Sequence, residues 1–311
     1  MLIALTFTIG GLVVLPLAAD RFVVSAGRIS RALGLSPILV GALLVGFGTS
    51  LPEGVVSGWA AAKGNLDFAV GNVVGSNVAN LALVLGVAAL IRPIAASRSL
   101  ILREGSLVLL VTVVYAGFHF DRQVARWEGL ILLALLLVAV SLLIRWSLTD
   151  VLEVVQELES GVRLRWEWVI GLGTMILTVA AATSLVEGAE RLADELGIQS
   201  AFIAATLVAV GTSLPELATA AAAVRRHQSD LALGNVLGSN LFNLLAVGGI
   251  ASTIAPGPLD GGFIPLLWVL LVLTLFVGLL AANGNRLLRW EGMVLLVFFA
   301  VFVWLAGANL A

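Results

Sequence analysis

The chain has 311 residues, 60% of them hydrophobic and 12% charged, with a net charge of -2 and no cysteine. A soluble protein of this size carries roughly a quarter charged residues, so the composition points to a polytopic membrane protein. It excludes a disulfide framework, a thiol nucleophile and a cysteine-bound metal, and the scattered basic residues leave no footprint for nucleic acid.

A membrane-spanning helix needs about 20 predominantly apolar residues. Polar clusters divide the chain into ten such spans, at 2–24, 36–62, 66–91, 104–119, 127–145, 167–188, 199–224, 230–254, 263–282 and 288–308. The first apolar run lacks a basic leader and exceeds a signal-peptide core, so it reads as a span. The longest polar stretch, Arg145 to Glu167, contains VLEVVQELES and falls between spans five and six. It is expected to form a partly helical linker, 146–166, between a first five-helix unit, 1–145, and a second, 167–311.

Orientation follows from lysine and arginine, which favour the cytoplasmic side. The loops after odd-numbered spans hold Arg21, Arg28, Arg31, Arg92, Arg98, Arg103, Arg145, Arg163, Arg165, Arg225, Arg226, Arg286 and Arg289, thirteen in all, against Lys63, Arg122, Arg126 and Arg191 on the other side. The odd-numbered loops and the linker are therefore expected in the cytoplasm and both termini outside. The setting is the cell (inner) membrane.

Span two contains GTSLPE, Gly48 to Glu53, which returns in span seven as Gly211 to Glu216, an offset of 163. GNVVGSN, Gly71 to Asn77, returns at the same offset as GNVLGSN, Gly234 to Asn240. Asp67 maps onto Asp230, Asn80 onto Asn243, Gly34 onto Gly197 and Arg28 onto Arg191. Motif regions 46–80 and 209–243 thus form an ungapped repeat. Each half has an odd number of spans, so the second enters the membrane from the opposite side. The fold class is an all-α polytopic membrane protein, ten transmembrane helices as two inverted five-helix repeats.

Proline inside a helix removes a donor and clashes with the carbonyl four residues earlier. Pro52 is expected to free the Gly48 carbonyl and Pro215 that of Gly211, with the hydroxyls of Thr49, Ser50, Thr212 and Ser213 beside the breaks. Glu53 and Glu216 follow near the middle of their spans. In span three, Asn72, Ser76 and Asn80 recur every four residues and so share one helical face, drifting by about 40° per step. Asn235, Ser239 and Asn243 do the same in span eight, while Asn77 and Asn240 lie off the stripe, placed to cap or bridge. Gly71 with Gly75, and Gly234 with Gly238, allow close helix approach. Every candidate ligand is an oxygen, which suits a hard cation such as Ca²⁺ or Na⁺. Two carboxylates neutralise one divalent or two monovalent cations, and an ion-exchange site is the natural reading.

A lone intramembrane glutamate can be structural, but two at matching positions beside proline, serine and threonine point to function. Asp67 and Asp230 read as N-caps of spans three and eight, and Arg28 and Arg191 as anchors of helix ends. His119, His227, Trp127, Trp146, Trp166, Trp168 and Trp290 read as interface or loop residues, and Trp59 is ambiguous.

The doubled, inverted GTSLPE and GNVVGSN motifs resemble the alpha-repeats of the cation/Ca²⁺ antiporter superfamily, above all its prokaryotic sodium/calcium exchangers. The resemblance implies ten helices, with spans two, three, seven and eight enclosing mid-membrane cation sites and spans one and six sliding across them. It implies Glu53 and Glu216 as ligands of Ca²⁺ and Na⁺, with Thr49, Ser50, Thr212, Ser213, Ser76, Ser239 and Asn80 around them. Many family members have aspartate where this chain has Asn243, which keeps an oxygen ligand and removes a titratable group.

The function so implied is Na⁺-for-Ca²⁺ antiport by alternating access, not enzymatic, with Ca²⁺ and Na⁺ as transported ions, no cofactor, and a monomer in the lipid bilayer as the working unit. The alternatives are exchange of Ca²⁺ for H⁺ or another monovalent ion and, in a different class, a cation channel.

Overall fold

In lipid, a backbone donor or acceptor without an internal partner costs several kcal/mol, so each long apolar run closes its hydrogen bonds as a helix. A computed structural model describes residues 2–151, 163–195 and 211–310. Its long helices are Leu2–Leu33, Leu66–Ile91, Arg98–His119, Arg126–Val151, Leu164–Glu195, Ser229–Ile254, Phe263–Ala282 and Arg289–Leu310. These are spans one, three, four, five, six, eight, nine and ten. Span two is a bent pair, Pro37–Thr49 and Leu51–Ala62, at 46°. Span seven is described from Gly211 onward, with the helix Leu214–Arg225, and its expected beginning at 199 lies outside the described residues.

Some helices outrun the expected spans because their charges are paired. Span one continues past Arg21 and Arg28 to Leu33, since both guanidinium groups reach Glu167 of span six, at 3.1 and 2.7 Å. Asp20 pairs likewise with Arg226. Span five extends to Val151 and span six starts at Leu164, so helix takes up both ends of the expected linker; 152–162 lie outside the described residues.

The inversion is written in the loops. Four two-residue strands, β1 (Ile94–Ala95), β2 (Gln123–Val124), β3 (Gly257–Pro258) and β4 (Arg286–Leu287), pair antiparallel as β1 with β4 and β2 with β3. The registers are Ile94↔Leu287 and Val124↔Gly257, so the repeat offset exchanges one pair for the other. Flanking bonds obey the same exchange: Ala96 N donates to Asn285 O at 2.9 Å, and Leu259 N to Arg122 O at 3.0 Å. Even the left-handed residues match, Arg122 with Asn285 and Gly64 with His227. Loops three and nine meet through one strand pair and loops four and eight through the other. Arg92 joins His227 between loops three and seven. Loops of one parity thus share a face, as ten spans require.

Each half also packs on the other. Span ten crosses span three at Gly292 and Gly86, and span five crosses span eight at Gly129 and Gly249. A Cβ on Gly292 would lie 2.7 Å from Gly86 O, and one on Gly129 2.6 Å from Gly249 O. Only glycine permits that approach. Spans three and eight form the centre and are more deeply buried than any other unbroken span among the described residues.

Candidate ion-binding site

Span two breaks at Ser50 (φ -88°, ψ 4°) and span seven at Ser213 (φ -88°, ψ 5°). The expected breaks are present, and each opens a new helix. Pro52 and Pro215 stand in the first turn of a new helix, where a missing N–H costs nothing. Glu53 and Glu216 fall in the same first turn, where unpaired N–H groups favour an anion. Both glutamates are 1% exposed.

Around the break the hydroxyls are aimed by the backbone. The Gly46 carbonyl accepts Ser50 N at 3.1 Å, Thr49 Oγ1 at 3.3 Å and, from the other repeat, Ser239 Oγ at 3.1 Å. A hydroxyl that spends its proton on a carbonyl keeps its lone pairs for a cation. Ser50 Oγ crosses between repeats and donates to Glu216 Oε1 at 2.7 Å. The Thr49 and Ser239 hydroxyls stand beside the same Glu216 carboxyl, and the two glutamates are near enough to interact.

The stripe asparagines divide into two roles. Asn72 Nδ2 donates to Glu53 O at 3.3 Å and Ser57 Oγ at 2.8 Å; Asn235 Nδ2 donates to Glu216 O at 3.3 Å and Thr219 Oγ1 at 3.0 Å. These amides clamp the backbone of each glutamate to the neighbouring span. Asn80 and Asn243 each stand within a π-helix, Ala79–Val84 and Phe242–Val247, a distortion frequent at functional sites. Asn80 Nδ2 donates to Asn240 Oδ1 at 3.2 Å, which makes Asn240 the expected bridge, whereas Asn77 bonds its own helix at Val73 O.

Ser76, Ser213 and Asn243 are buried, and Thr212 is half-buried beside the second break. Glu53 Oε2, Glu216 Oε2, Ser213 Oγ, Asn80 Oδ1 and both polar side-chain atoms of Asn243 have no hydrogen-bond partner among the described residues. Buried polar atoms are ordinarily satisfied, so this concentration of unpaired oxygens marks a place where something polar binds. No cluster of three His, Cys, Asp or Glu side chains occurs among the described residues. Two acids amid neutral oxygens remain, a donor set for hard cations.

Several smaller expectations change. Asn65, not Asp67, caps span three by accepting Phe68 N at 3.1 Å, and Asp67 accepts Asp260 N at 3.0 Å. Gln228 precedes span eight without a capping bond, and Asp230 lies in its first turn. Arg191 pairs with Glu187 at 2.6 Å. Trp59 is 66% exposed under Lys63 and belongs to the interface. His119 is not a loop residue but a fully buried one in the last turn of span four. The clamp hydroxyls of Ser57 and Thr219 were missed in the sequence, although they follow the glutamates by one turn.

Comparison with known proteins agrees with this geometry. The family model described as sodium/calcium exchanger protein matches twice, over residues 3–145 and 166–308. A putative antiporter, CaxA, of Alkalimonas amylolytica is 38% identical over 98% of this chain and 99% of its own length. The sodium/calcium exchanger MaX1 of Methanosarcina acetivorans is 32% identical over 94% of this chain and 95% of its own. The solved sodium-calcium exchanger NCX_Mj, soaked with 10 mM Na⁺ and zero Ca²⁺, superposes with a TM-score of 0.86 at 28% identity, covering 100% of this chain and 99% of that one. With two matched repeats, a shared fold and full-length relatives, the chain belongs to the sodium/calcium exchanger family, a family of transporters rather than enzymes.

Proposed function

We propose that this protein extrudes Ca²⁺ from the cytoplasm in exchange for Na⁺, by alternating access to one mid-membrane site. The observation that carries the reading is the Ser50–Glu216 bond across the repeats, amid buried oxygens that lack partners. It brings both GTSLPE motifs to one place, where either a divalent cation or monovalent ones meet two acids. Glu53 and Glu216 supply the charge. Thr49, Ser50, Thr212, Ser213, Ser76, Ser239, Asn80 and Asn243 supply neutral oxygens. Spans one and six slide together as the gate: Arg21, Arg28 and Ser25 of span one all hold Glu167 of span six. The odd-numbered loops and the segment after span five face the cytoplasm, both termini face outside, and the monomer is the working unit.

The test is isotope flux in proteoliposomes. Ca²⁺ uptake should require an opposing Na⁺ gradient and vanish in Glu53→Gln and in Glu216→Gln. Na⁺-dependent exchange that persists in both variants overturns the assignment, and flux unconstrained by a counter-ion makes the protein a channel.

A further inference from the structure

A second group of buried polar atoms lies outside the ion site. Tyr115, the single tyrosine of the chain, is fully buried, as are His119 and Ser252. Tyr115 Oη, His119 Nε2 and Ser252 Oγ have no hydrogen-bond partner among the described residues.

These three groups form a line. Spans four and eight run in the same direction, and the Tyr115 ring lies against Gly248, where a Cβ would sit 2.5 Å from Tyr115 Cε2. One turn further along each helix come His119 and Ser252. The Tyr115 and His119 rings stack at 4.2 Å, and His119 Nδ1 is 2.7 Å from Tyr115 O. A carbonyl only accepts, so Nδ1 carries the hydrogen and Nε2 keeps the lone pair. In the other direction span four packs against the π-helix Phe242–Val247 that carries Asn243, whose side-chain oxygen and nitrogen have no partner among the described residues. At the far end, His119 stands two residues before the exposed Asp121 of loop four. The line therefore runs from Asn243 to the face formed by loops four and eight.

The repeat offset shows that this line is one-sided. Asn243 corresponds to Asn80, but Tyr115, His119 and Ser252 correspond to Gly278, Ala282 and Ala89. The fold holds together with apolar residues at these positions in one half, so packing alone does not demand polar ones in the other. Buried donors and acceptors without protein partners take ordered water.

We propose that the Asn243–Tyr115–Ser252–His119 line is a hydrated proton path, which opens the ion site to protons from the loop-four face by a route separate from the cations. The inference rests on the exchanger reading above and adds the proton to its monovalent ions. His119 Nε2 takes a proton from water at the face and returns it to water within. The hydroxyls of Ser252 and Tyr115 each accept one proton and release their own. Every relay group ends as it began, and the proton arrives as hydronium, a monovalent cation among oxygens. The charged groups around His119 are Asp121 and Arg122 of its own loop, Arg126 and Glu128 opening span five, and Asp260 of loop eight. The parts of spans eight and nine packed against span four carry no charged residue.

The test uses the full chain in Na⁺-free liposomes with a pH dye in the lumen and the membrane potential clamped. A Ca²⁺ gradient should drive a lumenal pH change. That change should be lost in Tyr115→Phe and in the pair His119→Ala with Ser252→Ala, which installs the residues of the other repeat, while Na⁺-driven Ca²⁺ uptake is retained. Absence of the pH change in the wild type overturns the path. So does its persistence in the variants, or a parallel loss of Na⁺-driven uptake. A wild type that shows the pH change without Na⁺-driven uptake overturns the Na⁺ reading and supports the path.

Discussion

Ser50 Oγ donates to Glu216 Oε1 at 2.7 Å, but the reciprocal bond from Ser213 to Glu53 is not made. Ser213 Oγ and Glu53 Oε2 are instead both buried without partners. Two sequence-identical motifs thus hold their glutamates differently, one carboxylate pinned across the repeats and the other without that bond.

That asymmetry separates the two serines. In cation-free protein, Ser50→Ala should lower stability by about 1 kcal/mol, the scale of one hydrogen bond, whereas Ser213→Ala should leave it unchanged. Thermal unfolding in detergent without Na⁺ or Ca²⁺ measures the difference, and equal effects would contradict it. Both substitutions should weaken Ca²⁺ binding, because each removes a hydroxyl oxygen of the proposed site.

The asparagine clamps act through backbone position. A double-mutant cycle on Asn235 and Thr219 should give a coupling of about 1 kcal/mol in apparent Ca²⁺ affinity. The Asn72–Ser57 cycle should behave alike, since both amides make the same pair of bonds. Independent effects in both cycles would show that these amides position nothing.

Asn243→Asp adds a third carboxylate to a proposed site with two. The added charge draws in one more monovalent cation per Ca²⁺, so the Na⁺ gradient needed to balance a fixed Ca²⁺ gradient should become shallower. Null-flux measurements at imposed gradients give that ratio in wild type and variant. An unchanged ratio would remove Asn243 from the ligand set.

Neutralising Glu167 strands two cations between spans one and six. Arg21 and Arg28 both reach its carboxylate, which is 9% exposed. Glu167→Gln should therefore cost about 1–2 kcal/mol, a buried charge-assisted pair being discounted for the exposed arginines. Thermal stability of the variant, with partial recovery on adding Arg28→Gln, checks it.

Orientation can be read by labelling, since the chain has no cysteine of its own. A cysteine at Lys63 should react with an impermeant thiol reagent applied to whole cells, and one at Ser99 should not. The opposite pattern would invert the assigned topology while leaving the fold intact.

Hydropathy, the offset of 163 and loop parity sufficed for the span count, the inversion and the two glutamate motifs, because helix length and backbone satisfaction in lipid are local constraints that a single segment must obey. GTSLPE already announced a break beside an acid. Which side of the break the proline occupies was not legible, since a proline can interrupt one helix or open the next. Nor was the split of the asparagines into backbone clamps and π-helix residues, because equal spacing on a helix face says nothing about which neighbour the face meets. His119 was misplaced for the same reason: burial at a span end depends on which neighbouring helices pack beside it. The sequence by itself determined the membrane fold and the doubled motifs that carry its intramembrane acids. Only the tertiary structure decided that identical motifs hold their acids unequally and that one half carries a polar line the other lacks, since contacts between repeats depend on the partner each helix packs against.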